Sequence, residues 1–478
     1  MADIKKISEY AKRKGFIYPT SEIYGGISGF YDYGANGFSL KKNFQNLWRN
    51  YFLSINQNYV EIEANEIMHE DVFKASGHLK NFNDPVAISK KGQVERADHL
   101  IEKITGKKVE GKSCEELKKI IDDEQIKSTI DNEEIEKVEK MNLMLPVMVG
   151  NQTAYLRPET AQSPFINFNR EHETLRKKMP MGLATIGRAY RNEISPRNLT
   201  IRQRAFTQAE LQIFFDPDTI DQEEMYEKYQ EYELQLKLVG EQNKKNLKLN
   251  KLAQKYPQKI LTYLAIVQKF CLEKMKLDPI KFCLRELGQK ERAFYNKFHF
   301  DLEYEMDGLG TIEIGGVHYR TDHDLKAHQE GSKQKMEVTN DYTGKKYIPH
   351  VLELSFGVDR NVYALLETGL IETEGKTKLL LPYELAPKKM AIFPLVKNKP
   401  LVRQKAIDIY TELKKISQDI IYDETGSIGR RYARQDEIGT TYCITIDFDT
   451  TEDDKVTIRK IEDESQERIP ISEIKNYL

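Results

Sequence analysis

The stretch from Leu183 to Phe215 constrains this chain more than any other. Its first run, Leu183 to Arg191, is apolar and aromatic. Ser195-Pro196-Arg197-Asn198 is a cluster of breakers, and the return run from Leu199 to Phe215 alternates apolar with polar residues over much of its length. Such a pattern predicts two strands joined by a polar turn. Its charge is unusual for a surface hairpin, where Lys and Glu are commonest. Arg188, Arg191, Arg197, Arg202 and Arg204 are interleaved with Glu193 and Glu210. Arginine at alternating strand positions suits planar, bidentate capture of phosphate or carboxylate. The residues alone fit a solvated hairpin with cross-strand ion pairs equally well.

A chain of 478 residues predicts two or three domains. No run is long and apolar enough to cross a membrane, and MADIKKISEYAKRKG reads as a basic amphipathic helix rather than a signal peptide. Cys114, Cys271, Cys283 and Cys443 are scattered without CxxC spacing. That argues against a disulfide framework or a cysteine zinc site and fits a reducing cytoplasm. A net charge of -2 excludes bulk attraction to nucleic acid, so any RNA partner has to be held by local basic patches.

Around the hairpin the chain reads as follows. Phe16 to Phe38 is rich in Gly and Tyr, the composition of an ordered irregular segment with tight turns. Ser39 to Leu53 has apolar residues at helical spacing, and a strand-like run, Tyr59 to Ile67, follows it. Residues 100–140 are rich in Lys, Glu and Asp and predict a small helical insertion. Pro158 stiffens the turn that presents Glu159, which suits either anchoring of a substrate ammonium group or helix capping. Residues 218–289 predict a second insertion of two or three long helices, with Lys244, Lys245, Lys248, Lys251 and Lys255 forming a basic ridge. Phe298 to Val338 reads as paired strands, and Pro349 to Glu367 as strand, Gly turn and apolar helix. Arg360, just inside that helix, opposes its dipole unless an anion is bound. A boundary falls near Pro382 to Lys389, giving domains at 1–385 and 386–478. The second predicts an α/β unit with a parallel sheet and a helix from Pro400 to Ile416.

Arg191-Asn192-Glu193, a turn, then Arg202 and Phe206 resembles motif 2 of the class II aminoacyl-tRNA synthetases, and Phe206-Thr207-Gln208-Ala209-Glu210 resembles their glycyl branch of the dimeric archaeal and eukaryotic-like type. The run Ser21-Glu22-Ile23-Tyr24-Gly25-Gly26 ahead of Asp32-Tyr33-Gly34, and Tyr155 to Gln162, resemble further blocks of that branch. So do Arg96-Ala97-Asp98-His99 and Arg320-Thr321-Asp322. Gly357-Val358-Asp359-Arg360 resembles motif 3, and Asp423 to Gly439 resembles the anticodon-binding domain that the glycyl, threonyl, prolyl and histidyl enzymes share. Three positions depart from the family pattern: Glu70 replaces a usual motif 1 proline, Ser163-Pro164 replaces a glycine, and Leu354 stands where proline is frequent.

The resemblance implies an α+β catalytic domain, an antiparallel sheet flanked by helices with helical insertions, followed by a C-terminal α/β anticodon-binding domain. It implies an ATP site of Arg191, Asn192, Glu193, Ile201, Arg202, Phe206, Glu313, Ile314, Gly357 and Arg360, with Arg191, Arg202 and Arg360 on the phosphates and Glu313 on Mg²⁺. The implied glycine pocket comprises Arg96, Glu159, Phe206, Gln208, Glu210, Glu353 and Ser355, with the three glutamates around the ammonium group. Arg430, Arg431 and Arg434, beside Tyr432, are implied to meet the tRNA anticodon, with pairing to Asp436 and Glu437 as the intradomain alternative. A cytoplasmic homodimer that joins glycine to tRNA(Gly) is the implied whole. The alternatives are a class II enzyme for another small amino acid, or a synthetase-like nucleic-acid-binding protein without catalysis.

Overall fold

The computed structural model describes residues 4–478 apart from 110, 197, 294 and 374. The hairpin forms the heart of a nine-stranded sheet. In chain order its strands are β1 (Tyr59–Glu61), β2 (Met181–Tyr190), β3 (Ala205–Phe215), β4 (Glu233–Lys237), β5 (Lys245–Lys248), β6 (Phe282–Glu286), β7 (Phe298–Met306), β8 (Gly310–Thr321) and β9 (His350–Gly357). In space the order is β5-β4-β6-β7-β8-β9-β3-β2-β1. Pairing is antiparallel from β6 through β2, and parallel only at β2/β1 and β4/β6.

One face of this sheet is sealed by helices. Of the helices α1 (Ile4–Arg13), α2 (Ala35–Leu53), α3 (Gln162–Leu175), α4 (Gln258–Lys269) and α5 (Val358–Gly369), three close the back. The predicted helical spacing of α2 places Leu40, Phe44, Trp48 and Phe52 on its buried stripe. Trp48 and Phe52 meet Phe356 of β9, and Phe52 meets Phe270 just beyond α4 at 4.9 Å between ring centroids. α4 and α5 are buried nearly all round, as helices in the middle of a core must be. The opposite face is covered at one end by α3, whose Phe165 and Phe168 meet Phe214 of β3, and beyond it carries polar residues.

Residues 218–289 are therefore not an insertion of long helices. They supply β4, β5 and β6, which extend the main sheet, and the single long helix α4 beneath it. Leu234 and Leu236 alternate with polar neighbours in β4, and both are buried. The lysine ridge is largely engaged: Lys244 bonds the carbonyls of Pro279, Ile280 and Phe282, while Lys245, Lys248 and Lys255 pair with Glu241, Glu231 and Glu286. Residues 100–140 likewise differ from the helical expectation. Helices Ala97–Thr105 and Cys114–Asp123 pack over a three-stranded sheet whose long strand Ile135–Asn142 pairs with Asn83–Ser89.

The departures from the family pattern have local explanations. Glu70 is the first residue of helix Glu70–Ala75, with His69 as its cap. Proline suits that position because its missing N–H would be unpaired anyway, and a carboxylate suits it through the helix dipole. Pro164 sits in the first turn of α3. Leu354 is fully buried in β9, between Leu211 and Val317, in a strand with neighbours on both sides.

A separate five-stranded sheet follows, built from β10 (Met390–Pro394), β11 (Ile420–Tyr422), β12 (Tyr442–Ile446), β13 (Lys455–Lys460) and β14 (Gln466–Pro470), with helices α6 (Pro400–Ile416) and α7 (Ile428–Asp436). Its order is β11-β10-β12-β13-β14. Only β11, β10 and β12 run parallel, so the sheet is mixed rather than parallel throughout. α1 reaches this unit: the Tyr10 hydroxyl donates to the Glu437 carbonyl, and Lys14 pairs with the Glu437 carboxylate.

Candidate active site

Strand periodicity builds this polar face. In β3, every second residue points the same way, so Phe206, Gln208, Glu210 and Gln212 share one side. Register places Gly357, Ser355 and Glu353 of β9 directly opposite the last three, and Gly316 and His318 of β8 opposite Ser355 and Glu353. Polar residues from three adjacent strands thus line a single surface. The N-terminal segment fixes the far end of β3. Buried Asp359 accepts from Tyr33 Oη at 2.6 Å, from Lys41 Nζ at 2.8 Å and from the backbone N–H of Thr207.

At the hairpin end, Arg191 donates to the Pro158 carbonyl at 3.0 Å and lies over the rings of Phe82 and Phe206, 5.3 and 5.1 Å from their centroids. The backbone N–H of Asn192 is held by the Leu143 carbonyl. Glu193 Oε2 is 3.4 Å from Arg202 Nε, while Oε1 is buried without a hydrogen-bond partner among the described residues. A buried carboxylate oxygen left unpaired is costly unless a ligand donor reaches it. Arg360 donates to the carbonyl of Ile201 at 3.2 Å and to the carbonyl of Glu313 at 2.8 Å, with Glu313 Oε2 at 3.3 Å. Ile314 is buried, and its carbonyl accepts from Asn361. Gly357 caps α5, so Arg360 stands in that helix's first turn as expected. The anticipated phosphate-binding arginines and their partners are therefore gathered at one end of the sheet. Arg197 lies outside the described residues.

A second group lies deeper. Glu210 accepts from Thr160 Oγ1 at 2.7 Å and from Ser355 Oγ at 2.8 Å, and Gln208 Oε1 accepts the Thr160 N–H. Burial, reinforced by the charges of Glu353 and Glu159, pushes the Glu210 carboxyl up to about 8. Glu353 moves the other way, to about 2. Burial opposes its ionisation, but Arg320 and His318 outweigh burial. Glu159 is also held well below the usual carboxylate range: burial would raise it, and the neighbouring His78 and Arg320, with a hydrogen bond from Gln162, prevail. The surroundings thus favour the ionised form of Glu159 and Glu353 and disfavour that of Glu210.

Glu353 corrects the picture of three equivalent carboxylates. Its oxygens are already bonded by His318 Nδ1, Gln212 Nε2 at 2.7 Å and Arg320 Nη1 at 3.1 Å. Arg320 is in turn held bidentately by buried Asp324, at 2.8 and 2.9 Å, with its guanidinium 4.6 Å from the Tyr295 ring centroid. Asp324 is therefore a fixed anchor, whereas Asp322 caps the helix His323–Ser332. Arg96 is bound by Asp84 and Asp98, and Glu193 is a further carboxylate acting on it, which places it toward the hairpin. His78 and Thr160 are the residues that sequence reasoning does not assign to this group. His78 Nε2 lies 3.6 Å from Glu159 Oε2, across 81 positions of chain that carry no local signal of the contact.

In the second unit the three anticodon candidates separate. Arg430 is exposed, with no hydrogen bond or ion pair among the described residues. Arg431 is buried and donates to the carbonyls of Pro394 and Gly426. Arg434 pairs with Asp423 and the Thr425 carbonyl, so neither is held by Asp436 or Glu437. Asp436 takes Arg459 instead. Tyr432 is covered by Arg459, 5.1 Å from its ring centroid, and its hydroxyl bonds Thr445, so its ring faces are not displayed for a base.

An antiparallel sheet with an arginine- and glutamate-bearing hairpin at one end and a strand–helix arginine beside it defines the catalytic core of a class II aminoacyl-tRNA synthetase. Comparison with known families agrees. A family model described as "tRNA synthetase class II core domain (G, H, P, S and T)" matches residues 148–369, and one described as "Anticodon binding domain" matches residues 389–478. The chain is 36% identical to a glycine–tRNA ligase of Pyrococcus horikoshii, with 99% of this chain and 97% of the relative aligned. It is 37% identical to that of Clostridium acetobutylicum over 99% and 97%, and 33% identical to that of Aeropyrum pernix over 99% and 96%. The chain belongs to the glycine–tRNA ligase family.

Proposed function

We infer that this protein ligates glycine to tRNA(Gly) in two steps driven by ATP, and that the polar face of the sheet is where both occur. The glycine carboxylate attacks the α-phosphorus of ATP, a carboxylate–phosphorus bond forms, and the bond to pyrophosphate breaks. A terminal ribose hydroxyl of the tRNA then attacks the carbonyl carbon of the glycyl-adenylate and AMP departs. Neither step needs a side-chain nucleophile. In-line positioning and neutralisation of phosphate charge carry the rate.

We assign Arg191 to the α-phosphate, Arg202 and Arg360 to the β- and γ-phosphates, and Phe206 to stacking on the adenine. Glu193 receives the adenine amino group, which supplies the donor its buried Oε1 lacks. Glu313 is half exposed beside Arg360 and offers a single carboxylate. That fits Mg²⁺, which takes most of its ligands from phosphate oxygens and water. Bound there, the ion would neutralise phosphate charge. Glu159 and Glu210 take the glycine ammonium group, with Thr160 and Ser355 aiming the Glu210 oxygens. Glu353 acts through Arg320. We assign the exclusion of larger amino acids to the floor in which Thr160, Gln208, Ser355 and Glu210 are hydrogen-bonded together, since forcing a methyl into packed surroundings costs about 1–3 kcal/mol.

The observation that carries this reading is the joint presence, on one sheet face, of the arginine end and a buried carboxylate group suited to a small ammonium ion. Charging of tRNA(Gly) transcript with labelled glycine, alanine or serine tests it. Glycine is expected to be transferred, with alanine at least about tenfold less efficient. Efficient alanine transfer would refute the pocket assignment.

We also propose a homodimer and a cytoplasmic location. Ile23, Tyr24, Ile27 and Phe38 are 57–88% exposed within one short N-terminal segment, a concentration of apolar surface that suits burial against a second copy. The four cysteines are unpaired, and among the described residues no helix is long and apolar enough to cross a membrane. We place the division between the catalytic and anticodon-binding domains at residues 385/386. Arg430 is the side chain we assign to the tRNA.

A further inference from the structure

The sequence lacks any cysteine-based metal pattern, yet folding assembles a different donor set beside the pocket. His299 of β7 and His318 of β8 are direct cross-strand neighbours, and Asp301 lies two residues along β7, opposite Gly316. One donor atom from each of the three lies within 4.8 Å of the others. The imidazoles approach to 4.1 Å between centroids at an angle of 59°, and the three side chains are only 13–15% exposed. His318 donates its Nδ1–H to Glu353, an arrangement that in the neutral ring puts a lone pair on Nε2; that nitrogen is buried without a hydrogen-bond partner among the described residues. His299 Nε2 is 2.8 Å from Asp301 Oδ1, while Nδ1 faces the Asn296 side-chain amide at 3.1 Å.

Space for the arrangement depends on Gly316. A Cβ there would lie 2.3 Å from His318 Nε2, so any side chain at that position would displace the ring. Glu313 adds negative potential at His299. Two imidazole nitrogens and one carboxylate oxygen are a donor set for Zn²⁺ or a similar transition-metal ion rather than for Mg²⁺ or Ca²⁺, which favour oxygen alone.

We propose that His299, Asp301 and His318 bind a Zn²⁺-class divalent cation at the edge of the amino-acid pocket. The ion replaces the proton between His299 Nε2 and Asp301. His299 then carries its proton on Nδ1, where the Asn296 amide can present its oxygen, an atom buried without a partner in its present orientation. On the other side, metal-bound His318 continues to donate Nδ1–H to Glu353. This is a carboxylate–histidine–metal arrangement that fixes both the ring and the carboxylate, and through it Arg320. The site stands on its own geometry and does not depend on which amino acid the pocket accepts.

The test is titration of Co²⁺ and then Zn²⁺ into full-length protein previously stripped with chelator, followed by visible absorption, calorimetry and metal analysis. One equivalent of Co²⁺ is expected to give the d–d absorption of a four-coordinate nitrogen–oxygen site, displaced stoichiometrically by Zn²⁺. His299→Gln and Asp301→Asn are each expected to weaken Zn²⁺ binding at least about tenfold, with unchanged circular dichroism. Absence of that absorption in the wild-type protein overturns the site regardless of how the variants fold. Equal affinity in the wild type and both variants overturns it too, because the ion would then be held elsewhere.

Discussion

Glu210 offers the most quantitative handle on the pocket. Its carboxyl is pushed up to about 8 by burial and by Glu353 and Glu159, and its two oxygens are aimed by Thr160 and Ser355. Protonated, it offers no charge to an ammonium ion; ionised, it does. Glycine binding is therefore expected to improve as pH rises through the value of the free enzyme. At pH 7 roughly one enzyme in eleven carries the ionised form, and at pH 8.5 roughly three in four. If only that form binds productively, the apparent KM for glycine falls about eightfold over this interval. Glu210→Gln removes the titrating group. Truncating one partner of a buried hydrogen-bonded charge pair costs about 2–5 kcal/mol, which corresponds to a KM rise of about thirtyfold to several thousandfold. The assay is ATP–pyrophosphate exchange at saturating ATP with glycine varied, repeated from about pH 7 to 8.5 on both proteins. The wild type should show the fall in KM and the variant a flat profile. A flat wild-type profile, a surviving slope in the variant, or an equal rise in KM for ATP would refute the reasoning.

Other perturbations separate the remaining roles. Arg191→Ala should lower the exchange rate by about 10²–10³-fold while glycine binding, read by calorimetry, stays within about twofold. Arg431→Ala should destabilise the C-terminal unit by about 2–4 kcal/mol in urea unfolding, since its buried guanidinium bonds two carbonyls. Arg430→Ala should leave that stability unchanged, yet weaken tRNA binding and reduce its salt dependence. Asp359→Asn should cost about 2–3 kcal/mol by depriving half-buried Lys41 of its carboxylate partner and weakening the bond to the Thr207 N–H at the start of β3.

How much of this was legible in the sequence depends on distance along the chain. The hairpin is readable because Arg191, Glu193, Arg202 and Phe206 lie within sixteen residues, but the strands end at Tyr190 and begin again at Ala205, so the first three sit in the connection rather than on the alternating strand positions the sequence pattern predicts. α2 is readable because Leu40, Phe44 and Trp48 recur at helical spacing. Residues 218–289 mislead for the same reason: the strong helical period of α4 dominates its neighbourhood, and the short alternation of Glu233–Lys237 has the length at which strand and helix patterns cannot be told apart. Contacts made by topology leave no local mark. His78 meets Glu159, Arg320 reaches Glu353, and His299 faces His318 only because two strands pair in one particular register. Arg430, Arg431 and Arg434 look alike in sequence, and only the burial of one face of α7 divides a structural arginine from an exposed one.

The central claim is that this face of the sheet activates glycine, and amino-acid-dependent ATP–pyrophosphate exchange with each of the twenty amino acids tests it most directly. Exchange supported by glycine, with alanine and serine at background, is the result the carboxylate pocket predicts. Exchange supported by a different amino acid, or by none while tRNA still binds, would contradict it.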